Sequence, residues 1–365
     1  MLRSEDSRRE KNPGRERKNS QKQSVNVLHS NSSIKSIFIF GDSSVDSGNN
    51  NNLITFYKSN QHPYGVDFPQ QTPTGRFSNG RITTDFIASY TGIKGYVPSY
   101  LNSNLSLGDL ITGVSFASGG AGYDPSTAAK NEVIDLAKQL QYFDEYKTKV
   151  EQIIGHERME RIIKHAAFVV SCGTNDIVFR YGTRNTSFQL PDHDDEISAY
   201  LHFLLRQSKL FLQDLIDRGA KKISVVSLPP VGCLPVIITL KSSIFKPRIC
   251  AEVVSTLAKT FNQMLQQQIK IMQASQLTNT TLLYWDIYTP LEDQFNHPTK
   301  YGFEVVDRGC CGTGFIEGAL SCNLWSNICN DRSKYLFWDA MHPTERSYYF
   351  LFQTLRPLID YINNI

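Results

Sequence analysis

Five short runs of continuous apolar, β-branched-rich residues punctuate the chain at 36–41, 112–117, 166–172, 221–228 and 281–286. Continuous rather than alternating apolarity suits strands buried on both faces, so the runs predict a five-stranded parallel sheet. Stretches of helical period lie between them at 81–90, 132–154, 196–218 and 250–273. In the third, Ile197, Tyr200, Leu201, Leu204, Phe211 and Leu215 mark a broad apolar face, and Gly219 supplies a stop. A last helix over 344–362 follows Pro343, and Pro357 within it is expected to kink or break it. Strand and helix in alternation give one doubly wound α/β domain over 35–365, with helices on both faces of the sheet. Residues 1–34 lack apolar periodicity and read as a disordered basic tail.

Charge sharpens that division. Residues 1–22 hold eight basic side chains against four acidic, which leaves 30 basic against 31 acidic in the rest of the 365. A near-neutral body lacks the concentrated basic face that nucleic acid demands, so no nucleic-acid partner is expected. No apolar run reaches the roughly 18 residues of a membrane helix, so no transmembrane segment is expected. The basic opening has no apolar stretch behind it and is not a secretory signal as it stands. The cysteines point the other way. Cys310, Cys311, Cys322 and Cys329 crowd one Gly- and Asn-rich loop, and Cys233 and Cys250 flank another, which suits three disulfides and leaves Cys172 free. Zinc is the rival reading, but no CxxC spacing or paired histidine supports it. Sequons at Asn31, Asn104, Asn185 and Asn279 agree with a secreted, extracellular body.

Ligands of such sheets bind beyond the carboxyl ends of the strands. After the first run comes Gly41-Asp42-Ser43-Ser44-Val45-Asp46, after the second Ser118-Gly119-Gly120-Ala121-Gly122, after the third Gly173-Thr174-Asn175-Asp176, and near the end Asp339-Ala340-Met341-His342-Pro343. A serine nucleophile needs a base, and the base needs a group to orient it. Asp339 and His342, three apart in a loop, can meet at one ring nitrogen and leave the other for Ser43. The Ser43 amide, a glycine amide of 119–122 and the Asn175 side chain can supply oxyanion donors. Each segment alone has a plainer reading as a helix cap or turn; their order and their coincidence with strand ends carry the inference. A calcium loop at Asp42-x-Ser44-x-Asp46 fails, because position six is Ser47 and position twelve is Leu53. His62, His156, His165, His193, His202 and His297 have no partner pattern and read as surface or packing residues.

In that order the blocks FIFGDSSVDSGNNN, PTGRFSNGRITTDFIA, TGVSFASGGAGYDP, GTND, PPVGCLP, HPTKYGFEVVDRGCCGTG and FWDAMHPTER resemble the plant GDSL esterase/lipases of the SGNH hydrolase superfamily, over about 36–365. YGVDFP and SFASGGAGYDP are similar to the anther extracellular-lipase-like branch. The resemblance implies a flavodoxin-like three-layer α/β/α sandwich, with Ser43 as nucleophile, His342 and Asp339 as its partners, and oxyanion donors at Ser43, Gly120 and Asn175. Two departures stand out: Ser115 occupies a position where relatives often carry Asn, and the signal peptide with which relatives usually begin is not seen here. Three nearby glycines leave the oxyanion glycine open, of which Gly120 is favoured with Gly122 behind it. Cys172 reads as a small buried hydrophobe. The expected activity is hydrolysis of carboxylic esters, lipid acyl esters among them, by a monomer with no metal and no organic cofactor. The alternatives are an acyltransferase with the same triad and a silent glycan- or lipid-binding protein on this fold.

Overall fold

The computed structural model describes residues 33–182, 195–242, 247–275 and 279–365. Residues 1–32, with Asn31, and also Asn185 and His193, lie outside the described residues. Four parallel strands, β1 (Ile37–Gly41), β2 (Ala167–Ser171), β3 (Lys222–Val226) and β4 (Thr281–Trp285), pair in that order. Their side chains alternate between two apolar cores. Phe38, Phe40, Phe168, Val170, Ile223 and Val225 face one; Ile37, Ile39, Ala167, Val169, Val226 and Trp285 face the other. Helices α2 (Leu136–Ile154), α3 (Asp195–Asp217) and α4 (Glu252–Ala274) cover the first face, and α1 (Thr83–Tyr90) with α5 (Glu345–Asn364) covers the second. The three-layer α/β/α arrangement expected from the strand runs is present.

Three expectations need correction. The run at 112–117 is not a continuous fifth strand. It lies beside β1, donating from Phe116 N to Ile39 O and accepting from Ile37 N and Ile39 N, and Ser115 bridges Ile39 on one side and Ser99 on the other, but the Gly41 amide that would continue the pairing is taken by Gln139 Oε1. Gly113, at φ +92, brings the chain so close to Ile37 that a Cβ would sit 2.0 Å from the Ile37 carbonyl oxygen, and the ladder is reduced to isolated bridges. Pro357 does not break α5, which runs through it. Pro357 is on the exposed side, where water can satisfy the carbonyl that loses its N–H. Ser33 and Ile34, assigned to the tail, belong to the fold: Ser33 N–H donates to Asn363 O, and Ile34 is buried.

A second parallel pair, β5 (Val305–Gly309) with β6 (Tyr335–Phe337), has no counterpart in the sequence reading. Its strands are too short and too polar to announce themselves. Past its end, Cys310 N and Cys311 N donate to Phe337 O and Trp338 O, extending the pairing up to Asp339. The six clustered cysteines form Cys233–Cys250, Cys310–Cys329 and Cys311–Cys322, which excludes zinc on those sulfurs, and Cys172 is free and buried.

Candidate active site

Strand β1 ends where it can present a side chain. Gly41 has φ +133, and a Cβ there would lie 1.8 Å from Ser171 O, so the tight exit toward β2 needs glycine. Gln139 on α2 grips the Gly41 peptide from both sides, accepting from its N–H and donating to its carbonyl, each at 2.9 Å. Asp42 Oδ1 then accepts from Ser44 N and Ser44 Oγ at 3.0 and 2.7 Å, closing a turn with Ser43 at its tip. Complete burial pushes the Asp42 carboxyl up to about 6.

Ser43 Oγ lies 2.8 Å from His342 Nε2. His342 Nδ1 lies 2.9 and 2.8 Å from the two oxygens of Asp339. A carboxylate only accepts, so Nδ1 carries the ring proton and Nε2 is left to accept from the Ser43 hydroxyl. Asp339 Oδ1 also accepts from the amides of Met341 and His342 at 2.8 and 2.7 Å, which makes the Asp-x-x-His spacing a single hydrogen-bonded turn. Trp338 N–H donates to His342 O and Ala340 N–H to Glu317 O, pinning both ends of that turn. Two residues absent from the sequence reading complete it. Tyr64 Oη donates to Asp339 Oδ2 at 2.6 Å, and the Phe77 ring lies 4.8 Å from the imidazole, centroid to centroid. No residue spacing links Tyr64 to Asp339; they lie 275 positions apart.

Hydrogen bonds take up part of the glycine loop. Gly119 N–H donates to Asp46 Oδ2 at 3.0 Å and Ala121 N–H to Ser118 O at 3.1 Å. Gly122 packs on Asp176, where a Cβ would meet Oδ1 at 2.1 Å. Gly120, at φ +89, and Gly122 have no protein acceptor for their N–H groups among the described residues, and the same holds for the Ser43 amide. Asn175 donates one amide hydrogen to Ala121 O at 2.8 Å and keeps a second. Around this loop Asn49 Nδ2 bridges the carbonyls of Ser115 and Ala117, and Asn50 Nδ2 bonds the carbonyls of Tyr57 and Gly119. Ser115 Oγ donates to Val45 O, tying the glycine loop to the Ser43 turn. Asp176 accepts from Tyr123 N, Asp124 N and Thr127 Oγ1. Burial pushes Asp176 up to about 7 and Asp46 to about 6.

Ser43, Asn175 and His342 line one pocket with apolar walls from Leu234, Ile287, Leu291, Phe295 and Met341; Gly120 does not line it. A larger groove of about 570 Å³ lies over α5, where Arg81 pairs with Glu345 and Arg332 with Asp67, and none of the expected site residues reaches it. Of the other histidines, His156 and His297 pair with Glu151 and Asp293 on the surface. The structure thus gathers a serine, an imidazole and a carboxylate in a relay at an apolar pocket, with unspent N–H groups on Ser43, Asn175 and the glycine loop.

Known proteins are similar to this sequence. The GDSL-like Lipase/Acylhydrolase family matches residues 37–355. The Arabidopsis thaliana protein GDSL esterase/lipase At5g45960 is 47% identical over 335 residues, covering 90% of this chain and 88% of its own length. GDSL esterase/lipase At2g40250 of the same plant is 43% identical, covering 89% and 91%, and GDSL esterase/lipase EXL2 is 41% identical, covering 87% and 86%. With the match spanning nearly all of the described fold, the chain belongs to the GDSL-like lipase/acylhydrolase family of enzymes.

Proposed function

We propose that this serine ester hydrolase works through Ser43 as nucleophile, His342 as general acid and base, and Asp339 as the group that orients and stabilises the imidazolium. One observation carries the reading: the unbroken relay from Ser43 Oγ to His342 Nε2 at 2.8 Å and from Nδ1 to Asp339 Oδ2 at 2.8 Å. As Oγ attacks the ester carbonyl carbon, its proton passes to Nε2. The tetrahedral oxyanion is met by the amides of Ser43 and Gly120 and by the second Asn175 hydrogen. Collapse expels the alcohol, which takes the proton from His342. Water, deprotonated by the same nitrogen, then releases the acid and frees Ser43. The acyl chain occupies the apolar pocket bounded by Leu234, Ile287, Leu291 and Phe295, and no step calls on a metal or cofactor.

Residues 33–365 act as one hydrolase domain and as a monomer in this reading. Secretion is supported by the three disulfides and by exposed sequon asparagines at Asn104 and Asn279. The test is a panel of p-nitrophenyl esters of increasing chain length, run on the wild type and on Ser43→Ala, with phosphonate labelling read by peptide mass. Turnover that survives in Ser43→Ala, or label on another serine, rejects the assignment. Acyl transfer to an added alcohol in preference to water would favour the transferase reading.

A further inference from the structure

We propose that the loops 53–57 and 315–325 form a docking surface for the uncharged face of an aggregated lipid ester, so that the enzyme draws its substrate from an interface. The proposal rests on the ester-hydrolase reading and adds where the substrate comes from. Ile54 is 93% exposed, Leu324 73% and Trp325 89%, and Phe56 and Ile316 are each more than half exposed. Scattered single apolar residues on a surface are ordinary. Here five large ones stand on two loops that touch, with Leu320 N–H donating to Phe56 O, and such a concentration marks a contact surface.

The loops cannot fold these side chains inward. Cys310–Cys329 and Cys311–Cys322 close the second loop at two levels. Its polar groups are satisfied locally: the Glu317 carboxylate accepts from Thr313, Phe315 and Ile316, and Asn323 Oδ1 accepts from Trp325 N. Both loops are wired to the reaction centre. Glu317 O accepts from Ala340 N, between Asp339 and His342. On the other side Thr55 Oγ1 donates to Asn131 O, and Asn131 Nδ2 donates to the Gly120 carbonyl at 2.8 Å. Both loops therefore bear on segments that carry candidate site residues, outside the residues that line the apolar pocket itself.

Charge selects the occupant. Neither loop contains Lys or Arg, and the one acid, Glu317, is consumed by its own loop. An anionic bilayer recruits basic side chains; a neutral ester surface asks only for apolar ones, with Trp at the boundary.

The protein carries its own reporter. Of its three tryptophans, Trp285 and Trp338 are buried, so Trp325 alone should respond to a surface. Adding emulsified tributyrin to the full chain should shift tryptophan emission to the blue, and Trp325→Ser should abolish the shift. Leu324→Ser with Trp325→Ser should lower turnover of emulsified tributyrin about tenfold while leaving dissolved p-nitrophenyl butyrate unchanged. An unchanged emulsion rate, an equal loss on both substrates, or a blue shift only with phosphatidylglycerol vesicles overturns the proposal. Wild-type protein inactive on the dissolved ester but blue-shifted by the emulsion would reject the catalytic reading and keep the surface.

Discussion

Tyr64 Oη donates a 2.6 Å hydrogen bond to Asp339 Oδ2, and neither side chain touches solvent. Burial and the adjacent carboxylate hold the Tyr64 hydroxyl well above its usual range, so it stays a neutral donor. The ring packs with Cys310, Cys311, Cys322 and Trp338, which makes the disulfide loop the wall behind the carboxylate. Removing this donor leaves Asp339 the stronger base and favours the imidazolium. Tyr64→Phe should therefore move the acid limb of the kcat/KM profile to higher pH and lower kcat about tenfold with little change in KM. The Asp42 carboxyl, pushed up to about 6 by burial and lying in the field of His342, also contributes to the pH profile, so the shift is read against wild type. A fall in rate with an unmoved acid limb would reduce Tyr64 to a packing residue.

Ser43→Ala and His342→Ala should each cost about 10⁴-fold or more in kcat, and the double variant little beyond either, because relay members act as a unit. Single-turnover rates of purified variants check this. Losses that multiply would separate the two residues into independent roles.

Asn175→Ala should lower kcat by about 10²–10³-fold with a smaller change in KM, the behaviour of a donor used chiefly in the transition state. The variant also loses the bond to Ala121 O, so a thermal melt accompanies the kinetics. A change confined to KM would make Asn175 a ground-state contact.

Asp42, Asp46 and Asp176 are buried, and their carboxyls are raised from 3.8 to about 6, 6 and 7. Between the unfolded value and these folded values the native state holds more protons than the unfolded chain, so stability falls as pH rises through this window. The melting temperature should rise as pH is lowered from about 8 to about 6, and Asp176→Asn should remove part of that rise. Melts showing the same slope in the variant would exclude Asp176 as a contributor.

The disulfides close loops with sequence separations of 11, 17 and 19 residues, each worth on the order of 2–4 kcal/mol in the chain-entropy account. Reduction should lower the melting temperature and kcat together, since Cys310 and Cys311 donate backbone hydrogen bonds to the strand leading into Asp339. Non-reducing peptide maps should return the three pairs with Cys172 as the only thiol. Six reactive thiols in active enzyme would refute the brace.

Local physics left its mark on the sequence wherever it acted alone. Strands buried on both faces must be apolar throughout, so β1 to β4 were legible as runs, and the face of α3 was legible from its period. Ser43, Asn175 and His342 could be named because they follow strand ends or sit in a turn closed by Asp339 over three residues. Tertiary structure decided what depends on distant segments meeting. Tyr64 reaches Asp339, and Gln139 reaches Gly41, across spans that no period encodes. The segment 112–117 is held to isolated bridges because Gln139 takes the Gly41 amide that would extend its pairing, and Pro357 was tolerated because α5 happens to expose it. Within 119–122 the fold spends the Gly119 amide on Asp46 and the Ala121 amide on Ser118, and it leaves those of Gly120 and Gly122 unspent. A residue's own chemistry is written in the chain, but which of its hydrogen bonds remain free is settled only when the fold has used the others.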